Sequence, residues 1–152
     1  MSRRSTEHST FVIERTYPVP PARVFQAWAS REAKARWFAC HDDWERSGHT
    51  LDFRVGGRET LDSRPPGAEV HRFDALFHDI VPDQRIVFSY DLYIGERRVS
   101  VSLTTIELEP VDRGTRLLFT EQGVFLDGLS DPVEREEGTR AGLDNLDAEM
   151  RR

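Results

Sequence analysis

The segment Trp37-Phe38-Ala39-Cys40-His41-Asp42-Asp43-Trp44 sets the chain's only cysteine, a histidine and two aspartates between two tryptophans. Thiolate, imidazole and carboxylate are the groups of metal centres and of nucleophilic catalysis. A metal centre needs three or four ligands converging in a defined geometry. Beside Cys40, the histidines at 41, 49, 71 and 78 show no recognisable ligand spacing, so no metal and no other cofactor is expected. A cysteine nucleophile needs an activating base and a group that orients it. Sequence neighbours such as Cys40 and His41 rarely point at one another, so no catalytic residue is assigned there. The segment is expected to be a loop closing one end of the interior, with Trp37, Phe38 and Trp44 as an aromatic lid.

Two further sets carry chemistry. His71 and His78 fall on opposite parities of one predicted strand, so both face the interior only if a bulge intervenes. His71 shares parity with Phe73 and Phe77 and is the better interior candidate. Arg15 and Glu121 each occupy the parity of an otherwise apolar strand face. If the first and last strands are neighbours the two could pair, and a buried ion pair must be well hydrogen-bonded or it costs stability. Arg15, His71 and Glu121 are therefore the expected polar anchors.

The elements that must position these groups follow from periodicity. Residues 11–17 alternate, with Phe11, Ile13 and Tyr17 on one face, and residues 1–9 are polar and expected to be a disordered tail. Pro18, Pro20 and Pro21 end the strand, and a proline suits the first turn of the helix that follows because its missing N–H has no partner there. Val24, Phe25 and Trp28 share one side of that helix, and Ser30 is a candidate cap for a second short helix through Arg36.

From residue 50 the period is two. Leu51, Phe53 and Val55 alternate up to Gly56-Gly57, a candidate hairpin turn. His71, Phe73, Ala75 and Phe77 follow the SRPPG turn cluster, then Ile86, Phe88, Tyr90 and Leu92. Val99, Val101 and Leu103 are expected to line the next strand opposite Ser100, Ser102 and Thr104, and Leu117, Phe119 and Glu121 the last. Asp131-Pro132-Val133-Glu134 then opens a helix to about Met150 with a near capping box. Its apolar stripe of Val133, Ala141, Leu143, Leu146 and Met150 is thin, too thin to fill a curved sheet of six or seven strands. A cavity between sheet and helix is the physical expectation. The order strand, two short helices, six strands, long helix is an α+β layer arrangement in a single domain spanning 10–152.

The chain has 152 residues and a formal net charge of −6, which disfavours nucleic acid as a partner. It has no apolar run of membrane-spanning length and no apolar leader, so cytoplasm is the default. Lys34 is the single lysine, a compositional bias rather than a phosphate site, since the arginines are scattered.

Six blocks in order carry a resemblance: FVIERTYPVPPARVFQAW, ARWF, LDFRVGGRETL, FHDIVPDQRIVFSY, DRGTRLLFTEQG and EGTRAGL. Together they resemble the Bet v 1-like, START-type superfamily. The nearest branch resembles the C-terminal domain of the activator of the heat-shock protein 90 ATPase. The resemblance implies a helix-grip fold, with an antiparallel sheet gripping the C-terminal helix around a cavity. The family often carries Gly-Trp in that helix where this chain has Gly142-Leu143, which would enlarge or reshape the cavity.

The expected function is binding of a small apolar or amphipathic molecule in that cavity by a monomer or homodimer. The cavity residues would be Trp37, Phe38, Trp44, Phe53, Phe73, Phe77, Phe88, Tyr90, Val101, Leu103, Phe119, Leu143 and Leu146. Two alternatives stand beside it. One is an enzyme resembling polyketide cyclases or aromatases, for which the sequence offers no convincing acid–base pair. The other is an interaction module resembling chaperone-ATPase activators.

Overall fold

The computed structural model describes residues 4–39 and 43–152; Cys40, His41 and Asp42 lie outside the described residues. The elements run β1 Thr6–Tyr17, α1 Pro21–Ala29, α2 Arg31–Trp37, β2 Glu45–Leu51, β3 Arg58–Arg64, β4 His71–Val81, β5 Arg85–Ile94, β6 Arg97–Val111, β7 Gly114–Leu126 and α3 Pro132–Met150. The seven strands form one antiparallel sheet in the order β1-β7-β6-β5-β4-β3-β2. The sheet curves around α3, the helix-grip arrangement, with α1 and α2 closing one end of the interior. Among the described residues no helix is long and apolar enough to cross a membrane.

Local chemistry explains the first half. In β1, Phe11, Ile13 and Tyr17 are buried and alternate with exposed residues. Pro20 takes the N-cap position of α1 and Pro21 its first turn, where no N–H is needed. Ser30 then serves both short helices. Its N–H reaches Gln26 O at 3.0 Å to close α1, and its Oγ accepts from Ala33 N at 3.3 Å to open α2.

Five expectations are corrected. β1 begins at Thr6, inside the segment expected as a tail, because residues 6–9 pair with 123–126 of β7. β2 precedes Phe53 and Val55 and ends at Leu51; it is a polar edge strand with no apolar alternation to betray it. Gly56-Gly57 is not a two-residue hairpin turn but part of a 52–57 loop whose backbone bonds Phe77.

The fourth correction is on β6, where Val99 is an extra residue: Tyr93 opposes Arg98 while Leu92 opposes Ser100. A bulge moves every later side chain to the other face. Ser100, Ser102, Thr104, Ile106 and Leu108 therefore point inward, while Val101 and Leu103, expected in the cavity, lie 36% and 39% exposed on the outer face. Finally, Val133 and Ala141 of α3 are exposed, so the buried part of its stripe begins at Leu143.

Candidate functional site

β4, β5, β6 and β7 carry their inward side chains towards the sheet-facing side of α3. At 3.6 residues per turn, Arg135, Thr139, Gly142, Leu146 and Glu149 of α3 share that side. Leu143, Leu146 and Met150 are buried there, and Tyr17 Oη donates to Leu143 O at 3.1 Å, tying β1 to the helix. One turn earlier, a Cβ placed on half-buried Gly142 would meet open space, with no atom from beyond its own helix backbone within 4 Å.

The inward side chains of β4 and β5, with Phe38 and Phe53, form an aromatic wall. Phe38, half-buried at the end of α2, meets Phe73 edge-on at 5.1 Å. Phe73 lies 4.8 Å from Tyr90 and 6.3 Å from Phe88, centroid to centroid. Phe77 and Phe53 extend the wall, 5.1 Å apart. Phe119 belongs to a separate packing group, stacked on Phe11 and near Trp28. Trp37 is wholly buried between the two short helices, with Nε1 donating to Ala27 O at 3.0 Å, so it is core rather than lid. Trp44 is half-buried and meets His71 edge-on at 4.9 Å. His78 is exposed at the β4 bulge and bonds Ser89 Oγ at 2.7 Å.

A polar network bounds the wall at the β6–β7 side. Tyr90 Oη donates to Glu121 Oε2 at 2.8 Å, and Thr104 Oγ1 donates to Glu121 Oε1 at 3.1 Å. Arg135 Nη1 donates to Tyr90 Oη at 3.1 Å and Arg135 Nη2 to Ser100 Oγ at 2.8 Å. The guanidinium lies 4.9 Å from the Phe125 ring and 4.0 Å from Glu121 Oε2. Ser102 Oγ is buried beside Tyr90 without a well-formed hydrogen bond. Burial pushes the Glu121 carboxyl above the usual carboxylate range; the Arg135 charge and the bonds from Tyr90 and Thr104 oppose that without cancelling it. Burial and then the Glu121 charge push the Tyr90 phenol far up, so Tyr90 remains a proton-bearing donor at neutral pH.

The expected pairing of Arg15 with Glu121 does not occur. β1 and β7 are neighbours, but Arg15 lies opposite Leu117 and Glu121 opposite Phe11, four residues or ~13 Å along the strand. Arg15 reaches Asp144 of α3 at 3.3 Å instead.

A second buried cluster lies at the far end of the wall. Lys34 Nζ donates to Glu59 Oε1 at 2.6 Å, and His49 Nε2 lies 2.8 Å from Glu59 Oε2. The ammonium sits over Phe38 at 4.5 Å, with Trp28 and Phe88 near it. Burial would raise Glu59, but Lys34's charge and the bonds from His49 and Lys34 hold it below the usual carboxylate range. Sequence reasoning missed both Arg135 and this cluster. The available signals were the single lysine and the inward parity of Glu59 with Leu61 on β3.

The match to known families agrees with this geometry. Residues 18–151 match the model described as "Activator of Hsp90 ATPase homolog 1-like protein". A solved protein from Rhizobium leguminosarum is 47% identical over 99% of both chains, with a TM-score of 0.94. One from Rhizobium loti is 52% identical over 95% of this chain and 99% of its own, with a TM-score of 0.88. The AHSA1-like protein from Aeromonas hydrophila, 22% identical over 94% of this chain and 92% of its own, shares the fold with a TM-score of 0.72. No curated protein matches the chain.

Proposed function

The chain belongs to the Activator of Hsp90 ATPase homolog 1-like family, and within it we propose that this protein binds a small amphipathic molecule between the sheet and the N-terminal half of α3. The fold is one that commonly holds hydrophobic ligands. The observation that carries the proposal is Gly142. It sits on the sheet-facing side of α3 with no atom within 4 Å of its Cβ position. Phe38 and Phe73, half-buried against the core and 5.1 Å apart, supply apolar surface for such a ligand. Tyr90, Thr104 and Arg135 supply a few fixed polar groups on an apolar wall, the usual composition of a small-molecule site. The ligand's apolar body lies on Phe73 and Phe38, and its polar end meets Tyr90 and Arg135.

An amide-resolved NMR titration with N-phenyl-1-naphthylamine, an uncharged aromatic probe, tests this. Shifts concentrated at Phe73, Tyr90, Leu92 and Gly142 are expected. Shifts confined to outer-face residues such as Val101 and Leu103, or none at saturating probe, would overturn it.

A further inference from the structure

We propose that the polar end of the ligand is an anion, a carboxylate or sulfonate, held by Arg135. This rests on the binding function proposed above and specifies the chemical class that the same site takes.

The argument is one of charge and donor accounting. Two other cations at the interior have a carboxylate in direct contact: Lys34 on Glu59 at 2.6 Å, and Arg15 on Asp144 at 3.3 Å. Arg135 has none. Its side chain is 11% exposed, and its nearest carboxylate oxygen, on Glu121, is 4.0 Å away with the Tyr90 hydroxyl between them. Both Glu121 oxygens are occupied, one by Tyr90 and one by Thr104, so Glu121 does not turn to meet the guanidinium. Burial also disfavours the ionised form of Glu121, which weakens the one carboxylate within 4.0 Å of Arg135 among the described residues.

Arg135 also has donors to spare. A guanidinium offers five N–H groups in a planar fork. Nη1 is spent on Tyr90 and Nη2 on Ser100 and, at 3.5 Å, Ser130; Nε makes no hydrogen bond among the described residues. A nearly buried guanidinium with free N–H groups on Nε and Nη1, and no carboxylate oxygen closer than 4.0 Å, can donate charge-assisted hydrogen bonds to a carboxylate or sulfonate. Arg135 also lies close to the N-terminus of α3, where the aligned peptide dipoles favour negative charge. The nearby acids do not compete: Asp131 caps the helix through Val133 N, Glu136 is paired with Arg140, and Glu134 is exposed.

Two probes with the same ring system separate charge from apolar binding. N-phenyl-1-naphthylamine is uncharged at neutral pH, and 1-anilinonaphthalene-8-sulfonate adds one fixed negative charge. Fluorescence titration of the wild-type protein should show the sulfonate binding about ten-fold tighter, the scale of a charge-assisted pair. Arg135→Gln should lose that preference, its affinity for the sulfonate falling to its affinity for the uncharged probe, and Arg135→Lys should recover part of it. A cooperative thermal melt shows that the glutamine variant is folded. If the uncharged probe binds but the sulfonate binds no tighter, or Arg135→Gln keeps the preference, the anion assignment is wrong while the binding site stands. If neither probe binds the wild type, the binding function itself fails.

Discussion

Lys34 Nζ lies 2.6 Å from Glu59 Oε1, and each side chain is 1% exposed. Breaking a buried pair by removing one partner strands the other charge, a loss of about 3–5 kcal/mol. Lys34→Met should therefore lower Tm by roughly 10 °C in a chain of this length. Lys34→Met combined with Glu59→Met should recover part of the loss, because neither charge of the pair is left alone, while His49 loses its Glu59 partner. Calorimetry of the two variants checks this; a double variant no more stable than the single one contradicts it.

The same pair shapes the acid limb of stability. The folded-state pKa of Glu59 is depressed, so its contribution is fully present above the unfolded carboxylate pKa and is lost as pH falls through the folded value. Wild-type stability should thus fall steadily below about pH 4. In the Lys34→Met, Glu59→Met variant that fall should be shallower, as read from urea midpoints against pH. Parallel curves for the two proteins would refute the assignment.

Glu121 has the opposite sign. Its folded-state pKa is raised, so the penalty for its charge is absent below the unfolded pKa and grows as pH rises through the folded one. Glu121→Gln keeps an oxygen to accept from Tyr90 and an amide to donate to the Thr104 hydroxyl. The variant should melt a few degrees above wild type near pH 8, and the gap should close towards about pH 4. A gap that does not change with pH would mean that the carboxyl is not held towards its neutral form.

Glu121 lies 4.0 Å from Arg135, the proposed anion anchor, so its protonation should govern binding there. The groups around it are Tyr90 from β5, Thr104 from β6, Arg135 from α3 and the uncharged Phe11 from β1. The anilinonaphthalene sulfonate stays ionised across the accessible range, so a pH-dependent affinity reports on the protein. Its affinity should rise as pH falls towards the carboxylate range, and the slope should vanish in Glu121→Gln. An unchanged slope in that variant would assign the proton elsewhere.

Much of this architecture was legible in the sequence, for reasons that also explain the misses. Pro18, Pro20 and Pro21 mark where β1 gives way to helix, and Asp131-Pro132 marks the start of α3, because backbone chemistry acts locally. The inward parity of Arg15 and Glu121 was legible too, since alternation needs only one strand. Their partners were not, because strand register depends on the neighbouring strand and offsets them by four residues. Val101 and Leu103 were assigned inward by unbroken alternation, which the extra residue at Val99 reverses. β2 is an edge strand without an apolar stripe, so periodicity had nothing to detect. Arg135 was legible only jointly with Gly142 and Leu146 on one helix face, a pattern that apolar stripes alone do not reveal.

Gly142 gives the most direct test of the binding site. It is helical, it lies between Arg135 and Leu146 on the sheet-facing side of α3, and the space at its Cβ is open. Replacing a helix-interior glycine by leucine gains roughly 0.5–1 kcal/mol of helix propensity, so Gly142→Leu should hold or raise Tm. The same side chain would occupy the space assigned to the ligand. Affinity for N-phenyl-1-naphthylamine, measured by fluorescence titration alongside Tm, should therefore drop at least ~10-fold, the equivalent of about 1.4 kcal/mol. A Gly142→Leu protein that melts no lower than wild type and binds the probe as tightly as before would contradict a binding site between the sheet and α3.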